Sequence, residues 1–169
     1  MFLKNNIILV LIFLLSCQPV ELIKLVDIDN SNLEKISINA KDIELKIEYN
    51  PIFSNENIED QIQNPPLQII SNWHNDNVKK FGNENKLVIT VLEASIFKKE
   101  IENTNAKKFE EKKIFRYEVF FLVEYELYNN SSYLIASTTV ESSRTTTSQK
   151  YISLNQKEVV INELLFNAL

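Results

Sequence analysis

The chain is expected to form an α+β fold: a mainly antiparallel sheet of about four strands with two helices packed on one face, preceded by a cleavable signal segment. Three observations predict this. Apolar residues alternate with a period of two over Ile36–Tyr49, Ile114–Tyr128 and the start of Tyr133–Thr147, and Leu87–Phe97 is a β-rich run, the marks of strands. Two other stretches, one after Asn64-Pro65-Pro66 and one after Ser153, carry helical spacing behind helix-start residues. A short apolar run, Ile7–Leu15, follows Lys4 at the N-terminus and has no place in a folded core.

In chain order, Ile36, Ile38 and Ala40 alternate with polar residues, and Ile43, Leu45, Ile47 and Tyr49 continue in the opposite parity. One inserted residue swaps the faces of a strand, so the shift at Lys41-Asp42 predicts a bulge. Asn50-Pro51 ends the strand, and a polar loop runs to Asn64. Asn64 is the expected cap of the first helix, with Pro65 in its first turn, where the missing N–H costs nothing. Leu67, Ile70, Trp73 or His74, Asn77 or Val78, and Phe81 supply its apolar face, and Gly82, after Phe81, is placed to close it in a left-handed cap.

Leu87–Phe97 opens with both parities apolar, as a strand buried on two faces would. The Lys- and Glu-rich run Lys98–Lys113 reads as a solvated connection or a frayed hairpin end. Ile114–Tyr128 is the strongest strand. Tyr117, Val119, Phe121, Val123, Tyr125 and Leu127 share one face; Glu118, Glu124 and Glu126 share the other, interrupted by Phe120 and Leu122. Asn129-Asn130-Ser131-Ser132 is a turn, and Tyr133–Thr147 returns to complete a long antiparallel hairpin. Ser153 with Gln156 three residues on forms a capping box for the last helix, whose apolar face is Val160, Ile161, Leu164, Leu165 and Ala168.

Composition excludes several function classes. The chain has 169 residues, enough for one domain plus appendages, with 44% hydrophobic and 24% charged residues. Its net charge of −5 becomes one unit more negative once Lys4 leaves with a signal segment, a poor balance for nucleic acid, which needs a basic footprint. One Cys excludes an internal disulfide and one His excludes a histidine-rich metal site. A single glycine excludes a Gly-rich phosphate loop. No cofactor is implied.

Four features could carry chemistry, and each has a plainer explanation. His74 has no partner for a triad or a metal site and reads as a partly exposed helix residue beside Trp73. Glu118, Glu124 and Glu126 could act as paired carboxylates, although same-face strand acids are ordinarily a solvated edge. Arg144 lies in Ser142–Thr147 and is the only arginine besides Arg116 in a Lys-rich chain. Its planar fork suits a carboxylate or phosphate, which makes it a candidate partner-binding residue; pairing with a neighbouring Glu or capping the loop before the last helix is the simpler role. The sequon-like Asn129–Ser132 is read as turn chemistry.

The leader has a positively charged start, nine apolar residues (Ile7–Leu15) and a small residue at its end. A membrane-crossing helix needs roughly 20 apolar residues, so the run is a secretory signal and not a span. Leu14, Leu15, Ser16 and Cys17 resemble the bacterial lipobox. That resemblance implies acylation of the Cys17 thiol and cleavage before it. The expected organisation is then a signal peptide over 1–16, a lipid-anchored tether over 17–35 and a single α+β domain over 36–169. Gln18 stands where Asp would resemble an inner-membrane retention signal, which tilts the location towards the outer membrane, facing the periplasm.

Taken together, the lipobox at Cys17, the Pro-led helix with Trp73, the Leu87–Phe97 strand, Arg116-Tyr117, Ser143-Arg144-Thr145 and the capped last helix resemble a group of small proteobacterial lipoproteins. The strand–helix–strands–helix order is also similar to the lipoprotein partner of the outer-membrane lipopolysaccharide-assembly pore. The resemblance implies a non-enzymatic envelope lipoprotein, tethered to the membrane and binding a protein or lipid partner; it transfers no catalytic residue. The alternatives are a periplasmic hydrolase with a site near Arg144 or His74, and a lipid or small-ligand carrier, which would need a large apolar cavity between helices and sheet.

Overall fold

The computed structural model describes residues 33–52 and 54–169. The expected signal segment 1–16, Cys17 and most of the expected tether over 17–35 lie outside the described residues. The chain forms β1 (Ile36–Ile38), β2 (Asp42–Ile47), a 3-10 turn (Glu59–Gln61), α1 (Pro66–Asn77), β3 (Val78–Lys80), β4 (Lys86–Glu102), β5 (Lys113–Tyr128), β6 (Leu134–Gln149) and α2 (Leu154–Phe166). The α+β plan and its two helices are those expected from the sequence. The four-stranded sheet runs β2-β4-β5-β6 and is mixed: β2 pairs parallel with β4, whereas β4–β5 and β5–β6 are antiparallel. The parallel pair follows from connectivity. The loop and α1 between β2 and β4 carry the chain back to its starting end, which a tight turn would not do.

The parity shift near Lys41 marks a break and not a bulge. β1 pairs parallel with β3 as a separate two-stranded sheet, and β2 pairs with β4 beyond a common interruption. The interruption is held by backbone bonds: Phe81 N donates to Ile38 O (3.1 Å), Gly82 N to Ala40 O (3.2 Å) and Lys41 N to Asn85 O (2.9 Å). Gly82 therefore has a different task from the helix cap expected of it. α1 ends at Asn77, with Val78 in extended backbone donating its N–H to His74 O. Gly82 lies against the β1–β2 break, where a Cβ would run into Asn39 Oδ1 and sit 3.0 Å from Ala40 N and Asn39 C. Gly82→Ala is expected to cost about 1–3 kcal/mol by forcing these segments apart, read as a lowered midpoint in chemical denaturation.

α1 begins one residue later than expected. Pro65 is the N-cap and Pro66 opens the helix, with no side chain capping it. Asn64 Nδ2 instead donates to Asn162 Oδ1 on α2 (3.1 Å), tying the two helices together. The capping box of α2 is present in both directions: Gln156 N donates to Ser153 Oγ (3.2 Å) and Ser153 N to Gln156 Oε1 (3.1 Å).

Both helices pack on the face of β5 that carries Tyr117, Val119, Phe121, Val123 and Tyr125. Ile89, Val91, Ala94 and Ile96 of β4 and Ile161, Leu164 and Leu165 of α2 complete this core. The polar loop after β2 is more structured than its composition suggests. Glu48 N and Tyr49 N donate to Val91 O beside the β4 bulge, and Ile58 N donates to Ile96 O (3.2 Å). Tyr49, Ile58 and Ile62 are buried, so the loop fills the edge of β4 beyond the end of β2. The charged run after Phe97 is also partly strand. The β4–β5 ladder continues to Glu102↔Lys113, and Glu100 joins it laterally by accepting from Lys113 Nζ and Lys150 Nζ, both at 2.6 Å.

Candidate binding surface at the sheet edge

β6 is the last strand of the sheet, and among the described residues its only strand neighbour is β5. Its register runs from Ile114↔Gln149 to Tyr128↔Leu134, so among the described residues no strand pairs with its outer side over 16 residues, roughly 50 Å of edge. The turn that starts it is built by Asn129, whose Oδ1 accepts from Ser131 N and Tyr133 N, both at 2.9 Å. The adjacent Ser132 takes a positive φ of 63°. The sequon-like residues thus act as the turn.

Register assigns each β6 side chain to a face. Ala136, Thr138, Val140, Ser142 and Arg144 stand opposite Leu127, Tyr125, Val123, Phe121 and Val119, on the helix side. Ser137, Thr139, Glu141 and Ser143 stand opposite Glu126, Glu124, Leu122 and Phe120 on the second face. α2 reaches only the later half of the strand: Ser142 Oγ donates to Ala168 O (2.7 Å) and Arg144 Nε to Asn167 O (3.2 Å). The earlier half is uncovered, leaving Tyr133, Leu134, Ile135 and Val140 exposed, the last at 49%.

Natural edge strands are blunted by Lys, Pro, bulges or short length. β6 has no Lys, no Pro and no Gly, and its only charges are Glu141 and Arg144. One irregularity, between Leu127 and Tyr128, lies at its very start. The opposite edge, β2, is only six residues long and alternates acidic and basic residues with apolar ones.

Arg144 is exposed, and its guanidinium serves the end of the last helix. Nε reaches Asn167 O, and Nη1 donates to its own strand's Ser143 O (3.2 Å). A cation at the C-terminal carbonyls of a helix is favourable both as a hydrogen-bond donor and against the helix dipole. Its plainer role is therefore a cap, at the end of α2 and not in the loop before it.

His74 differs most from expectation. It is buried at 3% exposure, held through Nδ1 to Ile70 O and through Nε2 to Tyr125 Oη, both at 2.7 Å. With the backbone carbonyl fixing the proton on Nδ1, Nε2 accepts from the Tyr125 hydroxyl. Burial lowers the His74 pKa below its ordinary value, partly offset by the hydrogen bond to Ile70, and burial raises Tyr125 to about 12. Trp73 packs edge-on against the imidazole, with centroids 4.9 Å apart. The helical spacing placed either residue inward, and only the packed sheet shows that the polar one goes deeper.

Glu118, Glu124 and Glu126 lie on the second face, spread along β5, with Arg116 Nη2 3.9 Å from Glu118. Phe120 and Leu122 between them are half-buried. Among the described residues no three His, Cys, Asp or Glu side chains converge to hold a metal ion.

Sequence reasoning missed a buried polar knot in the loop. Glu59 Oε1 accepts from Tyr49 Oη (2.5 Å) and Asn57 Nδ2 (2.7 Å), while Glu59 N donates to Asn57 Oδ1 (2.9 Å). Burial, then the bond to Glu59, pushes the Tyr49 phenol well above its ordinary range. A cavity of about 660 Å³ opens beside it, lined by Pro51, Ile52, Asn57, Glu59, Pro65 and Leu67 among others. It lies against the loop and the start of α1, not between the helices and the sheet.

No family model matches the chain, and no curated protein matches it. Among solved structures it is similar to a minor lipoprotein from Acinetobacter baumannii, at 12% identity and a TM-score of 0.37, covering 76% of this chain and 81% of that one. It is also similar to the rare lipoprotein B from Shewanella oneidensis, at 13% identity and a TM-score of 0.37, covering 75% and 86%.

Proposed function

We propose that the protein is an envelope lipoprotein acting without catalysis, a membrane-tethered binding or assembly partner for another envelope component. In this reading the chain is cleaved before Cys17, the Cys17 thiol carries the lipid, and residues 17–35 tether the 36–169 domain to the outer membrane on its periplasmic side. The observation that carries the binding role is the β6 edge: sixteen residues of one-sided backbone with exposed Leu134, Ile135 and Val140 and almost no charge. Such an edge is a liability for a protein that works alone and an asset for one that pairs.

Two features weigh against the catalytic alternative. Both His74 ring nitrogens are occupied inside the core, and Arg144 is turned to the end of α2. The space between helices and sheet is filled by Ile89, Val91, Val119, Phe121, Ile161 and Leu165, which weighs against a carrier. No helix among the described residues is long and apolar enough to cross a membrane.

Cys17→Ala is expected to abolish palmitate labelling and release the protein from the membrane fraction. Unchanged labelling would remove the anchor from this reading. Affinity purification of the tethered protein from cross-linked envelopes is expected to yield a specific envelope component, and recovery of background proteins alone would remove the partner.

A further inference from the structure

We infer, resting on the binding role above, that the partner contributes an extended β-strand that adds to the outer edge of β6, carrying apolar residues opposite Leu134 and Val140 and a Lys or Arg opposite Glu141. The backbone dictates the form. The outward N–H and C=O groups of β6 have no backbone partner among the described residues, and an added strand satisfies them in a continuous ladder. No described helix covers that edge; α2 stays inboard, and the residues that close it touch Ser142 and Arg144 through the Ala168 and Asn167 carbonyls.

The side chains dictate the partner's composition. On the helix face the uncovered Val140, 49% exposed, continues the apolar row of Val123 and Val91 across the sheet, so an apolar residue placed opposite it extends the core by one strand. On the second face Glu141 stands opposite Leu122, and Glu124 and Glu126 lie further along β5. An added residue opposite Glu141 enters an acidic field, where a cation is favoured and an acid is repelled. The hydroxyl-rich remainder of β6 makes few side-chain demands and leaves recognition there to the backbone.

A second copy of this chain fits poorly as the occupant. Two β6 strands paired antiparallel with like faces together have two registers of fullest overlap. One sets Glu141 opposite Glu141 of the other copy; the other sets the two acids diagonally on the same face. Like charges so placed destabilise a ladder. A strand from a different protein has no such conflict.

The test uses the full lipidated protein in its native envelope. Ile135→Lys/Val140→Lys places charges on exposed edge positions, a device that natural edges use to refuse pairing, and leaves the core untouched. Ile47→Lys, on the opposite edge where Ile47 is 53% exposed, is the control. In envelopes the outward amides of Leu134–Ser142 are expected to exchange with deuterium at least about tenfold more slowly than in purified protein, a factor equivalent to about 1.4 kcal/mol. The double variant should lose both that protection and the cross-linked partner, with an unchanged melting temperature, while Ile47→Lys keeps both. A partner retained in full by the double variant would overturn the edge assignment and leave the general binding role standing. So would β6 amides that exchange as fast in envelopes as in solution. Protection that appears in purified protein as its concentration rises would make the occupant a second copy and overturn the assignment to a foreign strand. No partner with any variant would overturn the binding role itself.

Discussion

Acidification is expected to destabilise the fold through His74, and replacing that residue should flatten the response. The neutral imidazole is buried, donating from Nδ1 to Ile70 O and accepting at Nε2 from Tyr125 Oη. Protonation would place a charge in the core and set an N–H against a hydroxyl that now donates to it. Burial therefore lowers the folded-state pKa, while the unfolded chain titrates near the ordinary value of 6.5. The unfolded state binds the extra proton first, so this contribution is complete above about pH 6.5 and is lost progressively as pH falls towards the lower folded-state value. Denaturation midpoints measured from pH 8 to 5 should fall in that window. His74→Gln should reduce the pH dependence there, because it has no titrating ring. His74→Ala should cost about 2–4 kcal/mol at pH 7.5, combining a cavity with a buried Tyr125 hydroxyl left without its acceptor. An unchanged pH profile in His74→Gln would show that other groups set the acid response.

Glu59→Ala is expected to be comparably damaging, although Glu59 lies in a loop. Its carboxylate accepts from Tyr49 Oη and Asn57 Nδ2, and all three residues are buried. Removing the acceptor strands two buried donors, each worth about 1–3 kcal/mol when left unpaired. Those donors also hold the loop that places Ile58 against β4, so the loss should total about 2–4 kcal/mol and expose the cavity wall to exchange. Glu59→Gln keeps one acceptor oxygen and should cost visibly less. The raised Tyr49 pKa adds an alkaline signature. The unfolded phenol ionises near pH 10 while the folded one holds its proton, so this stabilisation is complete below pH 10 and erodes as pH rises above it. Glu59→Ala should weaken that erosion. Equal stability of the Ala and Gln variants would mean that the carboxylate is not what organises the loop.

These two buried groups show where local reading stops. Helical spacing put either Trp73 or His74 inward, but periodicity resolves a face and not a depth. What favours the imidazole is Tyr125, 51 residues away in sequence, which supplies the hydroxyl its inner nitrogen needs. Glu59 carries no periodic signal, and Tyr49, ten residues back, meets it only once the loop folds along β4. Gly82 follows a helical pattern and so suggests a cap, whereas the need for it comes from Asn39 and Ala40 in the break between β1 and β2. For His74 and Gly82 the deciding atom belongs to an element distant in the chain, and for Glu59 it belongs to the folded course of its own loop.

By itself the sequence determined the elements governed by local physics. The strands of the long hairpin follow from period-two alternation in the sequence, the α2 start from Ser153 and Gln156 three residues apart, the β5–β6 turn from Asn129, and the two-helix α+β plan from the order of these pieces. The signal-like leader and the placement of Cys17 also rest on sequence alone. Tertiary structure decided the parallel pairing of β2 with β4, the split of the first strand, the depth of His74 and the isolation of β6 at the edge. The physical reason is common to all four. Pairing partner, burial depth and edge position depend on which distant backbone fills the neighbouring place, and alternation along one strand encodes only which side chains face the same way.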